Sequence, residues 1–471
     1  MRLKPYPEYK KAGVSWIGSI PAHWPEKRAK YYFKEIDERS QTGDEEMLSV
    51  SHLTGVTPRS QKNVTMFKAE SNVGQKRCRP GDVVINTMWA WMSALGVSNH
   101  AGIVSPAYGV YRPINDQEYE TYYLDHLLRI EGYRSEYICR STGVRSSRLR
   151  LYPDKFLSMR VICPPWEEQQ AIAKFLKAQN LLFRKFIRNK RRLIELLKEQ
   201  KQNIINQAVT RGIDPNVKLK PSGVEWIGDI PEHWESTKLK RVISFNPSKS
   251  ETKVNSADID KVTFLPMENI STNGDIDCSE KRLLSEVWNG FTYFRRGDVV
   301  IAKITPCFEN GKGAFLKGLE TDFGFGTTEL IVLRPSKAID GAFLRFLTTT
   351  KQFLMLGEQH MTGSAGQQRI PSNFVKNYPI GLPPIEEQRD ILRHIHEKSV
   401  EIDQAITRAQ REIELMREYR DRLIADVVIG QVDVRGIEVP EMAEEELLVL
   451  EEDLTESDGV IDADEDLKVG E

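Results

Sequence analysis

The sequence is poor in cysteine and lacks long apolar runs. Its five cysteines are scattered through 471 residues and form no C-x-x-C pair, so neither a disulfide framework nor a zinc site is expected. No apolar run approaches the roughly 20 residues that span a bilayer. The first residues contain no apolar signal-peptide core. These absences predict a cytoplasmic protein without a membrane segment.

Motifs for common catalytic chemistry are also missing. No G-x-x-x-x-G-K-[ST] loop for ATP occurs. The glycines of the segment FGFG, residues 323–326, have the wrong spacing for a cofactor loop. Cys163 stands where the Pro-Pro-aromatic motif of amino-methyltransferases needs a polar residue. The strand that follows Asp298 lacks the second carboxylate of a nuclease metal site. We therefore predict no catalytic site and no bound cofactor in this chain.

Charge is distributed unevenly along the chain. Residues 441–471 contain fourteen acidic residues and one lysine, so this segment carries a charge of −13. Because the whole chain carries −2, the remaining residues carry +11. A basic body is typical of proteins that bind nucleic acid. The acidic segment is expected to be a solvated, disordered tail.

The chain repeats itself with a period of about 215 residues, which indicates a duplicated domain rather than a solenoid. The segments GVSWIGSIPAHW (residues 13–24) and GVEWIGDIPEHW (residues 223–234) open the two copies. Each copy then contains a Gly-Asp-Val-Val-Ile strand, an Arg-Pro pair, a Thr-Gly loop and a Pro-Pro-x-Glu-Glu-Gln helix start. The residues between these motifs differ, which indicates one scaffold that recognises two different targets.

A long helix is predicted after each copy, over residues 167–210 and 386–429. Apolar residues recur there at gaps of mostly three, four and seven, which is typical of a coiled-coil seam. The expected seam of the first helix is Ile172, Leu176, Phe183, Phe186, Leu193, Leu197, Ile204 and Ala208. Residues 167–211 carry a net charge of +7 and residues 386–430 carry −3, so the two helices are expected to pair with each other. Antiparallel pairing would place the two domains at opposite ends. The alternative is that each helix docks separately on its own domain.

These patterns predict an α+β protein with two tandem α/β target-recognition domains, separated by two long helices that pair as an antiparallel coiled coil. The expected segments are domain one at 1–165, the central helix at 166–211, domain two at 212–385, the C-terminal helix at 386–430, and the acidic tail at 431–471.

Candidate DNA contacts cluster around the two Thr-Gly loops. Arginine recognises guanine and phosphate, glutamine can recognise adenine, and serine donates to either. The candidates in copy one are Arg140, Arg145, Ser146, Ser147, Arg148 and Arg150; those in copy two are Ser364, Gln367, Gln368, Arg369, Lys303, Asn310 and Lys312. The alternative for these segments is an ordinary solvated surface loop.

Two further sets of residues have a structural interpretation that we favour. Trp89 and Trp91 alternate along a possible strand, where they are expected in the core more often than against a base. His23 and His233 occupy equivalent positions beside Trp24 and Trp234, and are expected to pack or hydrogen-bond there rather than to bind a metal.

The duplicated set of motifs resembles the specificity subunits of type I restriction-modification systems, over residues 1 to about 436. The resemblance implies that each domain recognises half of a split site in double-stranded DNA. It implies that the paired helices fix the gap between the halves and dock two methyltransferase subunits, which would carry S-adenosylmethionine. A separate motor-nuclease subunit would cut the DNA. The alternatives are a stand-alone tandem-domain DNA methyltransferase and a protein-binding scaffold.

Overall fold

The computed structural model of the chain describes residues 4–61, 71–143, 149–224, 227–252, 261–364 and 366–439. The chain folds into two compact α/β units. One unit takes in the residues up to Arg191 together with those from Arg411 onward, and the other is Arg192–Gln410. Each unit therefore contains one copy of the repeat and part of each long helix.

In its described residues the first unit contains short strands and four α-helices. Its strands are Tyr9–Lys11 (β1), Ser19–Pro21 (β2), Glu26–Arg28 (β3), Phe33–Glu35 (β4), Leu48–Ser51 (β5), Gly55–Pro58 (β6), Lys76–Cys78 (β7), Val83–Ile85 (β8), Leu95–Val97 (β9), Gly102–Val104 (β10), Gly109–Pro113 (β11) and Arg160–Ile162 (β12). The helices are Thr121–Arg129 (α1), Glu131–Arg140 (α2), Pro153–Ser158 (α3) and Trp166–Arg211 (α4), of which α4 continues into the second unit.

The second unit repeats this plan. Its strands are Leu219–Pro221 (β13), Asp229–Pro231 (β14), Glu235–Lys238 (β15), Ile243–Phe245 (β16), Lys261–Leu265 (β17), Lys281–Leu283 (β18), Thr292–Arg295 (β19), Val299–Ala302 (β20), Gly313–Phe315 (β21), Phe323–Gly326 (β22), Leu330–Pro335 (β23) and Pro379–Leu382 (β24). The helices are Leu239–Val242 (α5), Leu284–Val287 (α6), Gly341–Leu347 (α7), Lys351–Gln359 (α8), Ser372–Asn377 (α9) and Ile385–Val428 (α10), of which α10 continues into the first unit.

The same antiparallel four-stranded sheet forms the centre of both units. Its strand order is β4-β11-β8-β9 in the first unit and β16-β23-β20-β21 in the second. The apolar Gly-Asp-Val-Val-Ile segments supply the inner strands β8 and β20, whose residues are fully buried because both faces of the sheet are covered. Val84 pairs with Val110 and Val300 with Val332, so the two sheets have the same register.

The long helices α4 and α10 have 46 and 44 residues, or about 70 Å at 1.5 Å per residue. In the first unit Phe183 packs on Tyr419, and Lys190 Nζ lies 2.5 Å from Glu412 Oε2, so the two helices run antiparallel there. In the second unit Lys201 Nζ lies 2.7 Å from an oxygen of Asp403. The predicted antiparallel pairing and the α+β fold are confirmed. In the part of the chain that the structure describes, no helix is long and apolar enough to cross a membrane.

The predicted seam of α4 is wrong at one position. Leu193 was expected inside the seam, but it is 41% exposed, whereas Ile194 is 9% exposed. The buried residues Ile172, Phe183, Ile194 and Ile205 recur every eleven residues. An eleven-residue period lies closer to the 3.6 residues of each α-helical turn than a seven-residue period does, so the buried stripe follows a nearly straight helix.

The start of the predicted tail is also different. Residues 431–439 were assigned to the acidic, disordered tail, but the structure shows them packed on the first unit, with Val434 2% exposed and Asp433 paired with Lys4 in a β-bridge. Short segments without periodic apolar residues give no sequence signal of such docking. The rest of the tail, 440–471, lies outside the described residues. The other domain limits stay predictions, since the division into compact units runs through both long helices.

Candidate nucleic-acid interface

The opening motif of each copy binds the motif that begins the following long helix. In the first unit the Trp24 indole donates to Glu168 at 2.9 Å, and His23 Nε2 lies 2.7 Å from the other oxygen of that carboxylate. In the second unit Glu387 contacts Trp234 at 3.0 Å and His233 at 2.7 Å. The histidines are therefore hydrogen-bonding residues of the scaffold. Among the described residues no cluster of potential metal ligands occurs.

The glutamine of each Pro-Pro-x-Glu-Glu-Gln motif is fully buried and holds the chain ahead of a helix. The Gln169 side chain accepts from the amide of Glu120 at 2.9 Å, and the Gln388 side chain accepts from the amide of Asp340 at 2.8 Å. Glu120 and Asp340 in turn cap α1 and α7. These motifs therefore couple the long helices to the domain cores, because a buried amide without partners would cost free energy.

Asp298, which had suggested a nuclease metal site, has a structural partner instead. Its two carboxylate oxygens accept from the Arg334 guanidinium at 2.7 and 2.8 Å, and the carboxylate is almost fully buried. Asp82 and Arg112 form the equivalent pair in the first unit at 2.8 and 2.9 Å. Bidentate pairing occupies the lone pairs that a metal ion would need. The Gly-Asp and Arg-Pro motifs of the repeat are thus two halves of one ion pair.

The Thr-Gly loops lie at the carboxyl ends of the central strands. A pair of backbone hydrogen bonds joins Thr142 to Arg150 in the first unit and Thr362 to Arg369 in the second. The next residue of each loop donates its amide, at 2.9 Å, to a carbonyl just past β8 or β20: Leu151 to Thr87, and Ile370 to Lys303. Each unit therefore presents two loops together, one that follows the central strand and one that contains Thr-Gly.

In the second unit, two candidate cations converge on one carboxylate. The Arg369 guanidinium donates to both oxygens of Glu329 at 2.8 and 2.9 Å, and Lys303 Nζ lies 4.0 Å away. The hydrogen bonds from Arg369 hold the pKa of the Glu329 carboxyl below its usual value. Arg369 is 43% exposed in its side chain, so the pair can still meet solvent or a ligand. The ion pair between Arg369 and Glu329 therefore fixes the shape of the loop.

The remaining candidates of the second unit divide into half-buried residues that support the loops and exposed groups. The Lys312 ammonium donates to the Met267 carbonyl at 3.2 Å, and the backbone N–H of Gln368 donates to the Thr305 hydroxyl at 3.1 Å. Ser364, Gln367 and Asn310 are exposed. The side chains free to face a ligand are therefore polar and mostly amides.

A buried arginine donates a hydrogen bond to the loop that follows β20. Arg345 is 7% exposed and donates to the Gly311 carbonyl at 2.9 Å. Burial lowers the pKa of its guanidinium to about 10, so the side chain is still charged at neutral pH. This residue was missed by sequence reasoning, because an arginine in an apolar helix gives no sign of the carbonyl that it will meet.

In the first unit, the predicted residues are only partly described. Arg140 contacts Glu136 and donates to Ser158 at 3.2 Å, so it supports the end of α2. Arg150 is exposed, and its Nη2 lies 3.9 Å from Met88 Sδ. The other four candidates, Arg145, Ser146, Ser147 and Arg148, lie outside the described residues.

The prediction for the two tryptophans was partly wrong. They lie on a turn and a 3-10 helix, Ala90–Met92, rather than on a strand. Trp91 is half-buried and donates its indole N–H to the Met88 carbonyl at 3.1 Å, but Trp89 is 47% exposed. The alternating tryptophans suggested a strand, but a tight turn can also place every second side chain on one side.

The chain is similar in sequence to specificity subunits of type I restriction enzymes. Residues 231–415 match the family described as type I restriction modification DNA specificity domain. Over 202 residues, 42% of this chain, it is 39% identical to the type I restriction enzyme EcoAI specificity subunit of Escherichia coli. Over 293 residues, 60% of this chain, it is 26% identical to the MjaVIII specificity subunit of Methanocaldococcus jannaschii. The predicted resemblance to type I specificity subunits is confirmed.

A solved structure has the same fold. The structure carries the description "Structural basis underlying complex assembly and conformational transition of the type I R-M system". Its matching chain has a TM-score of 0.61 at 16% identity. The match covers 88% of this chain and 99% of that chain. The sequence alignments cover less: this chain spans 33% of the length of the EcoAI subunit and 64% of that of the MjaVIII subunit.

Proposed function

We propose that this chain is the DNA-recognition subunit of a type I restriction-modification complex, in which each α/β copy recognises one half of a bipartite site. The observation that carries the proposal is the equivalent placement of two loops with different residues. Both copies end their central strand in a loop that is bonded to a Thr-Gly loop, and these loops differ in sequence. A common scaffold with different exposed side chains suits two different half-sites, because base edges are distinguished by hydrogen-bond donors, acceptors and apolar contacts.

In this proposal the chain performs no chemistry. Methyl transfer from S-adenosylmethionine belongs to two partner methyltransferase subunits, and cleavage belongs to a motor-nuclease subunit. The structure supports this division at one point: Asp82 and Asp298, the buried carboxylates beside the central strands, are both neutralised by arginine. A carboxylate held in a bidentate ion pair is a poor general base or metal ligand.

The test of the function is a map of methylated sites. Methylation-sensitive sequencing is carried out on cells that contain the partner methyltransferase, with and without the gene for this chain. We expect a two-part methylated motif that disappears with the chain and returns when the chain is supplied again. A motif that persists without the chain would contradict the proposal, and so would a methylated site in one uninterrupted part.

The long helices are proposed to dock the methyltransferase subunits. Leu193 and Leu196 of the second unit are 41% and 45% exposed on α4, and Leu415 of the first unit is 47% exposed on α10. Apolar side chains on paired helices pack on each other first, so those left outside are available to another helix.

Changing Leu193→Glu together with Leu196→Glu is expected to weaken assembly with the methyltransferase by about 10-fold or more, since burial of the exposed part of two leucines contributes roughly 1.5 kcal/mol or more. The measurement is a titration of labelled chain with purified methyltransferase. The control is Lys198→Glu, an exposed position on the same helix that gives the same change of −2 in charge. Equal affinity of the leucine variant and the control would exclude this face as the docking surface.

A further inference from the structure

The loop that follows β8 in the first unit displays a tryptophan outward. Trp89 is 47% exposed, and among the described residues its indole has no hydrogen-bond or ring partner. A large aromatic side chain that stays exposed does not contribute the free energy that its burial would add to folding. The side chain is therefore not explained by the core of this unit.

The backbone beneath Trp89 is held firmly. The amide of Trp89 donates to the Asn86 carbonyl at 3.0 Å, and its carbonyl accepts from Met92 and Ala94. The neighbouring Ala90 is fully buried, and Ser93 adopts a left-handed conformation with φ of 63° that closes the turn. The loop is thus anchored on its inner side while its outer side presents an indole. A rigid aromatic group loses little conformational entropy when it meets a ligand.

Trp89 belongs to the same surface as the Thr-Gly loop. Thr87 accepts the Leu151 amide at 2.9 Å, and Met88 lies 3.9 Å from the exposed Arg150 guanidinium. An exposed aromatic ring beside an arginine suits duplex DNA, because the cation meets phosphate or guanine while the ring meets apolar base surface.

The equivalent loop of the second unit has its aromatic residue inside. Phe308 is 2% exposed and packs on Phe353, with ring centroids 5.8 Å apart. An added Cβ at Gly357 would lie 2.3 Å from the Phe308 ring, so that glycine makes room for it. The exposed polar residues of the loop include Glu309 and Asn310, with Ser364 and Gln367 in the Thr-Gly loop. The two copies thus present different chemistry on the same scaffold.

We propose that Trp89 is a specificity-determining residue of copy one, where its indole contacts apolar base surface in the half-site. This inference rests on the proposed function and adds that copy one recognises its half-site partly by apolar contact, whereas copy two uses side-chain amides. The contact is either with a thymine methyl group in the major groove or with the faces of two base pairs between which the ring inserts.

The test uses the complete complex with its methyltransferase subunits and labelled duplexes that contain the site. Trp89→Ala is expected to weaken binding of the intact site by about 5- to 150-fold, the usual cost of one mismatched base pair. Binding should then become indifferent to base changes at the position of half-site one that the indole contacts, and stay sensitive to changes in half-site two. Trp89→Phe should retain part of the discrimination. Melting temperature is measured for both variants, and if Trp89→Ala unfolds, the Phe variant alone must show the selective loss.

The control is Tyr31→Ala. Tyr31 is 61% exposed but precedes β4 at the Phe33–Pro113 end of the sheet, whereas Trp89 follows β8 at the Ile85–Gly109 end. This variant should bind as the wild type does. Salt dependence gives a second readout: Trp89→Ala should leave the slope of log affinity against log salt unchanged, because no phosphate contact is removed.

Two modified duplexes separate the two contacts. Replacement of thymine by uracil at one position should weaken the wild type, but not the alanine variant, if the indole touches a methyl group. Fluorescence of 2-aminopurine should rise with the wild type alone if the indole separates two base pairs. Wild-type affinity and discrimination in the alanine variant would overturn the inference and leave the proposed function intact, as would loss of methyltransferase binding in place of DNA recognition. A wild-type complex that discriminates at neither half-site would overturn the proposed function itself.

Discussion

Insertion of four residues after Gln200 is expected to abolish site-specific methylation. Gln200 precedes Lys201, whose ammonium lies 2.7 Å from an oxygen of Asp403 on the opposing helix. Four added residues lengthen α4 by about 6 Å and rotate everything beyond them by about 40° past a full turn. Because α10 keeps its length, the pairs on one side of the insertion can no longer form together with those on the other side.

A matched insertion tests the helices as a spacer. Four residues placed after Gln200 and four after Asp403 lengthen both helices equally. We expect activity to return with a preferred gap that is longer by about one or two base pairs, since each base pair rises about 3.4 Å along DNA. Both half-site sequences should remain as in the wild type, because neither recognition loop is changed. The measurement is a map of methylated motifs for the wild type and both variants.

The two insertion variants together test whether the paired helices set the distance between the half-sites. Full activity and an unchanged gap in the matched variant would mean that the helices do not set the distance. Wild-type methylation in the variant with a single insertion would mean that pairing of the two helices is not required. Either result would remove the proposed spacer role and leave recognition by each copy untouched.

The duplication and the long helices could be predicted because they depend on repeated patterns. Each copy carries its motifs in the same order, and an amphipathic pattern over more than 40 residues has few alternatives to a helix. The register inside the helix was harder. Leu193 and Ile194 are both apolar neighbours, and only the eleven-residue period of the buried side chains shows that Ile194 faces inward.

The contacts between motifs could not be predicted from either motif alone. Trp24 and Glu168 are far apart in sequence, as are Asp298 and Arg334, and nothing local indicates that they meet. Their recurrence in both copies was the available signal, because two motifs that always occur together can be partners. The same limit explains Arg369: its residue type suggested base recognition, whereas its carboxylate partner Glu329 lies 40 positions away.

The sequence predicted all of these polar residues of the second unit as DNA contacts, whereas the structure divides them into residues that support the loops and residues that are exposed. The side chains of Lys312 and Arg369 and the backbone of Gln368 hold the loops of the second unit in place, and Ser364, Gln367 and Asn310 are exposed. Positively charged residues attract attention in a search for DNA contacts, yet long cationic side chains also serve as donors to backbone carbonyls. The burial of each side chain and its hydrogen-bond partners, which depend on the tertiary fold, distinguish these roles.

Removal of the exposed amides is expected to relax one half-site only. Gln367→Ala together with Asn310→Ala should reduce discrimination by about 1–3 kcal/mol for each base that these amides recognise, or roughly 5- to 150-fold. The loops themselves should keep their shape, because the backbone N–H of Gln368 still donates to the Thr305 hydroxyl and the carboxylate of Glu329 still binds Arg369.

The measurement is the affinity of the complete complex for duplexes in which each half-site is altered in turn. In the double variant, discrimination should fall in half-site two and stay at the wild-type level in half-site one, the opposite of the result expected for Trp89→Ala. Asn216→Ala is the control, since this exposed amide lies between α4 and β13. An equal loss in both half-sites would indicate phosphate contacts rather than base recognition, because phosphate contacts weaken all sequences alike. No loss in either half-site would place these amides outside the interface, and the division of chemistry between the two copies would then have no support from the second unit.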